Sequence, residues 1–272
     1  MKTFVRTCIF AFLITLCGFI QTTTLRAETV KLDAPNHASD LKSDLTSEIK
    51  EYVEAHELFL SDMGISAKAA DLTVTVLSSR AEYDAYKGQN QMRSESPRGF
   101  YAHETQTIVT WETLNGGIST ELRRILAHET FHHLLHVNLG HDLPLWLDEG
   151  LAVHFENAAK VSGNRLDKSG IHQGALSQVR KAQGEKTFIP LATLLNLDRD
   201  SFYQNNPSRN YAESWSLVHF LLNDSSMRSK NALGETLRAL AAGANVQAAL
   251  TQATGMSMGN LETAWTNHLA RL

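Results

Sequence analysis

Cysteine is almost missing from this chain. Only Cys8 and Cys17 occur among its 272 residues. A mature chain beginning at Glu28 would have none, which excludes disulfides there even in an oxidising compartment. Any metal site in that chain must then use nitrogen and oxygen ligands. No basic stripe stands out, so nucleic acid is not an expected partner. No basic amphipathic helix suggests a membrane surface. There is no low-complexity segment and no internal repeat at a fixed period. The apolar run from Cys8 to Ile20 is thirteen residues long, short of the about 20 that a bilayer span needs.

That run has a different meaning. Lys2 and Arg6 precede it, and no acidic residue appears before Glu28. A basic start followed by a short apolar stretch is the pattern of a secretory signal peptide. Residues 1–27 are therefore expected to be a leader cut near Ala27, with a retained anchor as the alternative. Leu25 fits the cleavage pattern less well, and Leu16 argues against lipidation at Cys17. The expected location is the periplasm or cell envelope, without stable membrane insertion of the mature chain. Without Lys2, Arg6 and Arg26 the balance is 22 basic against 29 acidic residues, a charge of −7. Hydrophobic residues make up 43% and charged residues 20%, an ordinary globular mix. No linker divides residues 28–272, so they are expected to form one domain.

Periodicity assigns the elements. Residues 38–63 carry apolar side chains at spacings of three and four, which predicts a helix ending near Gly64. Leu72 to Leu77 alternates and is rich in branched side chains, so it predicts a strand. A short helix follows around Tyr83 and Tyr86. A loop covers 89–98, broken at Pro97. Strands at 99–102 and 107–111 flank a turn at 103–106, and Asn115-Gly116-Gly117 closes this part. Helices are then expected over 119–138, 144–159, 171–183, 210–223, 230–242, 245–254 and 258–271, with loops at 160–170 and 198–209. A small sheet lobe followed by a mainly helical lobe argues for an α+β fold.

The informative segment is Leu126-Ala127-His128-Glu129-Thr130-Phe131-His132-His133-Leu134. Its His-Glu-x-x-His pattern falls on the helix that Ser119 caps. Four residues apart, His128 and His132 project from one side and can meet one zinc ion. Glu129 lies one residue round and can accept a proton from a water held there. A catalytic zinc needs a third protein ligand and an open position. Pro144-Leu145-Trp146-Leu147-Asp148-Glu149-Gly150-Leu151-Ala152 starts the next helix, which can fold back and aim Glu149 at the metal. One Zn2+ per chain is expected, on His128, His132 and Glu149. His133, His136, His141 and His154 are read as surface or supporting residues. His103-Glu104 is read as a turn. Asp148 either orients a metal ligand from behind, as carboxylates often do, or is an exposed helix residue, the second being preferred. Trp146, Trp215 and the stripe Leu217, Val218, Leu221 and Leu222 are expected in the core.

The pair His-Glu-x-x-His and Trp-Leu-x-Glu-Gly-Leu-Ala resembles the gluzincin zinc metallopeptidases. The likeness is greatest to the aminopeptidase-N-like branch and to bacterial envelope proteins of the peptidase-MA-like group. Gly99-Phe100-Tyr101, Thr107-Ile108-Val109, Tyr211-Ala212-Glu213-Ser214-Trp215 and Leu261-Glu262-Thr263-Ala264-Trp265 extend it over roughly residues 70–272. The resemblance implies a zincin-like catalytic domain with the active-site helix between its lobes. It implies Glu149 as third zinc ligand, Glu129 as general base and a peptide or protein as substrate. Tyr211 stands 62 residues after Glu149, where such relatives carry a tyrosine that donates to the developing oxyanion. No Gly-x-Met-Glu-Asn block is present, so aminopeptidase action is not expected. The strand 107–111 is read first as an ordinary sheet strand, with pairing to an extended peptide along its edge as the alternative. The alternatives are a zinc amidase acting on cell-wall peptides and a non-catalytic binding or scaffold protein that kept the fold. Oligomeric state is left open.

Overall fold

A computed structural model describes residues 29–34, 39–68, 70–90, 98–113, 117–140, 143–156, 158, 160–161 and 165–272. The leader, Pro97, Asn115, Gly116 and His141 lie outside these residues. The architecture is α+β: a four-stranded mixed sheet, then helices.

The sheet is built from β1 (Val30–Asp33), β2 (Leu72–Leu77), β3 (Gly99–Ala102) and β4 (Thr107–Trp111), in the order β1-β2-β4-β3. β1 and β4 both run parallel to β2, with Val74 opposite Leu32 and Ile108. Parallel neighbours need crossovers. The first passes through α1 (Ser39–Asp62), whose Leu45, Ile49, Val53, Phe59 and Leu60 are buried. The second passes through α2 (Arg80–Gln89) and β3. β3 pairs antiparallel with β4 across a turn that includes Gln106 at φ 49°. β4 therefore lies inside the sheet, with both edges paired. The preferred reading of 107–111 as a sheet strand holds, and the alternative of an added peptide strand there is corrected: β2 and β3 occupy its two edges. Among the described residues, β1 and β3 are the edges of this sheet.

The helices begin with α3 (Thr120–Leu139). Ser119 caps it by accepting from the Leu122 N–H at 3.0 Å, and it ends at Gly140, whose φ of 90° suits glycine. α4 (Leu145–Phe155) starts after Pro144 and is buried from Trp146 to Phe155, as expected for a helix apolar all round. It packs between α3 and α8 (Pro207–Asn223). Gly150 makes the contact with α8 close: a Cβ there would stand 2.6 Å from the Ser214 carbonyl oxygen. Trp146, Trp215, Leu217, Val218, Leu221 and Leu222 lie in the core.

Smaller elements complete the chain. α5 spans Gln173–Gly184, and α10, α11 and α12 span Ala232–Ala241, Val246–Thr254 and Met258–Leu269. Four features depart from the periodicity reading. α4 stops at Phe155. The stretch read as a loop at 160–170 holds a two-residue hairpin, β5 (Lys160–Val161) and β6 (Arg165–Leu166). The stretch read as a loop at 198–209 holds α7 (Arg199–Gln204) and the first turn of α8. The short helices α6 (Leu191–Leu194) and α9 (Ser225–Ser229) fall between longer ones. Elements this short offer fewer than two turns of hydrophobic repeat.

Candidate metal centre

α3 carries His128 and His132 on the side facing α4. Their Nε2 atoms stand 3.1 Å apart. Glu149, from the first turns of α4, points its Oε2 between them, 3.3 Å from His128 Nε2 and 3.4 Å from His132 Nε2. That buried oxygen has no hydrogen-bond partner. Three lone-pair atoms thus form a triangle with sides of 3.1, 3.3 and 3.4 Å. Tetrahedral zinc with bonds of about 2.0–2.1 Å needs donors about 3.3–3.4 Å apart. The donor set and its spacing therefore fit a small divalent cation.

The electrostatics point the same way. Glu129, Asp148, Glu149 and Glu156 surround the two imidazoles. Burial disfavours a charged His128, yet contacts with Glu149 and Glu156 outweigh it and raise its pKa to about 9. His132 is also raised: the charges of Asp148 and Glu149 overcome its burial. Burial opposes ionisation of Glu149, but the neighbouring imidazoles hold its carboxyl well below the usual range. A site that favours cationic imidazoles when empty favours a cation between neutral imidazoles when filled. Glu129 is buried on α3 and its pKa is raised, mainly by desolvation and against the pull of the two histidines. Such a shift suits a group that must take up a proton near neutral pH.

Each imidazole is held from behind. Asp148 is buried, which corrects the expectation that it faces solvent. α4 is enclosed on both sides, so Asp148 in its first turn has no solvent face. Asp148 Oδ1 accepts from His132 Nδ1 at 2.7 Å and Oδ2 lies 3.1 Å from His136 Nε2. Glu156 Oε2 stands 3.3 Å from His128 Nδ1, while its Oε1 accepts from Arg124 at 2.5 Å and lies 2.8 Å from His172 Nε2. These partners leave both Nε2 atoms aimed at the triangle. His132, His136 and Asp148 form a second cluster of ligand-type atoms. His132 could serve two cations at once only by losing both ring protons, so the hydrogen-bonded reading is preferred there.

Of the other histidines, His133 is buried with Nδ1 3.1 Å from the Tyr101 hydroxyl. His154 is buried with Nε2 3.1 Å from the Lys168 carbonyl oxygen, on the side toward His219. His103 and Glu104 lie in the β3–β4 turn. Tyr211, at the start of α8, brings its ring to 6.5 Å from that of His128. Burial, together with the charge of Glu149, keeps its hydroxyl protonated well beyond the usual range. Two site residues went unseen in the sequence. Glu156 lies seven residues past Glu149, and only the packing of α4 against α3 turns it to His128. Tyr203 lies in α7, and its hydroxyl donates to Glu149 Oε1 at 2.5 Å.

An α+β fold with a histidine-glutamate cluster between two of its helices, α3 and α4, is metallopeptidase-like. The chain belongs to the Peptidase MA superfamily, whose family model matches residues 101–271. That stretch includes α3, α4 and α8, and so all the residues of the cluster. No curated protein matches the chain. Among the described residues, no helix is long and apolar enough to cross a membrane.

Proposed function

We propose that this protein is an exported zinc metallopeptidase of the gluzincin type, with one zinc held by His128, His132 and Glu149. The observation that carries the reading is the triangle of His128 Nε2, His132 Nε2 and Glu149 Oε2. Membership of a peptidase superfamily supports the reaction class. The basic, briefly apolar start of the sequence supports export to the periplasm or envelope. The substrate class is peptide or protein.

Bound zinc supplies Lewis acidity, acidifying water and polarising a carbonyl. The chain's own residues do the rest. Glu129 accepts a proton at its carboxylate and passes it to the leaving amine. Desolvation raises its pKa above the ordinary carboxylate value, which makes it a better proton acceptor. Tyr211 donates its hydroxyl to the carbonyl oxygen as negative charge develops there. Asp148 and Glu156 fix the ring orientations of His132 and His128, so the proton on each Nδ1 stays away from the triangle. The buried walls of α3, α4 and α8 keep bulk water from competing for these dipoles.

The test is digestion of a peptide library by the mature chain, with and without chelator. Cleavage should stop on chelation and return with Zn2+. Glu129→Gln should retain about one zinc per chain and lose hydrolysis by several orders of magnitude. Undiminished turnover in metal-loaded Glu129→Gln would remove that residue from the mechanism.

A further inference from the structure

Glu149 uses its two oxygens differently. Oε2 faces the imidazoles, and Oε1 is taken by the Tyr203 hydroxyl at 2.5 Å. An ionised carboxylate only accepts, so the phenol must be the donor. A hydrogen bond to a charged acceptor is roughly twice as strong as a neutral one. The ring of Tyr203 is held in place on its own account. Arg199 lies over it at 5.0 Å from the centroid, and Phe202 meets it edge-on at 5.2 Å.

The element carrying Tyr203 needs outside help. α7 has six residues, too few to be stable alone. Asn210, fully buried in the first turns of α8, provides that help. Its side-chain Nδ2 donates to the carbonyl oxygens of Phe202 at 2.7 Å, Asn205 at 3.0 Å and Ser201 at 3.3 Å. Phe202 in turn packs edge-on against Tyr211 at 5.4 Å. The Asn210 amide and the Phe202 ring thereby tie Tyr203 to Tyr211, whose ring centroids lie 6.3 Å apart.

We propose that Tyr203 is a positioning residue that restrains Glu149 to a one-oxygen approach to the metal, and that Asn210 holds α7 so that it can do so. This rests on Glu149 being the third ligand. A glutamate beside a divalent cation can bind through one oxygen or both. Binding through both would occupy the position that a catalytic zinc leaves open. With Oε1 tethered to a phenol, the carboxylate cannot swing its second oxygen onto the ion. The restraint preserves the vacancy as well as the affinity.

The test uses the whole mature chain, loaded with zinc or with cobalt(II), as wild type, Tyr203→Phe, Asn210→Ala and Glu149→Ala. Zinc affinity is read by competition with a chromophoric chelator, and coordination number by the visible absorption of the cobalt form, which weakens as ligands are added. Tyr203→Phe should bind zinc about 10-fold more weakly and show a weaker, shifted cobalt band. Asn210→Ala should change the band in the same direction. A phenol that only satisfied a buried carboxylate would alter thermal stability and leave the band untouched. Wild-type affinity and an unchanged spectrum in Tyr203→Phe overturn the proposal, and the same result in Asn210→Ala removes Asn210 from it. Wild-type affinity in Glu149→Ala overturns instead the ligand assignment beneath it.

Discussion

Replacing Asp148 by Asn tests whether the metal centre depends on residues that do not touch the metal. The buried carboxylate accepts from His132 Nδ1 at 2.7 Å and meets His136 Nε2 at 3.1 Å. Asparagine keeps the size, removes the charge and can present an amide donor to a ring that is itself a donor. A hydrogen bond to a charged group contributes about 1.5–3 kcal/mol. At about 1.4 kcal/mol per factor of ten, its loss should weaken zinc binding about 10- to 100-fold. The range agrees with what removal of such a supporting partner typically does to metal affinity. The assay is competition against a chromophoric chelator at fixed pH, with elemental analysis for stoichiometry and unfolding in excess chelator as the control for fold. Wild-type protein should hold about one zinc per chain. A zinc affinity within about twofold of wild type in well-folded Asp148→Asn would refute the claim that this hydrogen bond aims His132. A fall from two zinc ions to one would instead make Asp148 a ligand of a second ion with His132 and His136.

Two further predictions concern stability. Gly150→Ala should destabilise the protein by about 1–3 kcal/mol through overpacking, because the added Cβ would stand 2.6 Å from the Ser214 carbonyl oxygen. Thermal unfolding should show a melting point lower by several degrees, and an unchanged midpoint would mean that α4 and α8 approach less closely than described. The second concerns acid. Burial, with help from His219, lowers the His154 pKa to about 3, against an ordinary value of 6.5. Between those values the unfolded chain binds a proton that the native chain does not, so stability is present above pH 6.5 and is lost as pH falls toward 3. The loss from this one group approaches about 1.4 kcal/mol per pH unit within that window. His154→Gln keeps a donor for the Lys168 carbonyl and should flatten the acid loss in denaturant titrations between pH 6.5 and 4. An identical slope in the variant would show that His154 does not control it.

The long elements were legible because their signals are local. α1 repeats apolar residues every three or four positions, and β2 alternates along Leu72–Leu77. Either pattern is complete within a few neighbouring residues. α7 and the β5–β6 hairpin look like loops in the sequence because fewer than two turns, or two residues, cannot display a period. The order of the sheet was hidden for a different reason. A strand pattern says which side chains alternate and nothing about which neighbour the backbone meets, so the sequence leaves open an edge position for β4, which lies inside.

The metal site divides along the same line. Spacing on one helix brings His128 and His132 to a common side, because 3.6 residues per turn aligns positions four apart. Glu129 follows from the same geometry, and Glu149 follows from the next helix folding back, a reading that the resemblance to known zinc peptidases supports. The sequence leaves the direction of Asp148 open, and the reach of Glu156 to His128 and the grip of Tyr203 on Glu149 have no signal in it. Each joins residues from 16 to 54 positions apart, on helices whose relative rotation is set by how their whole surfaces pack. The sequence by itself determined which atoms can bind a cation, since that is chemistry and local helix geometry. Only the tertiary structure decided which way those atoms are aimed and what holds them there, since packing between distant segments sets both.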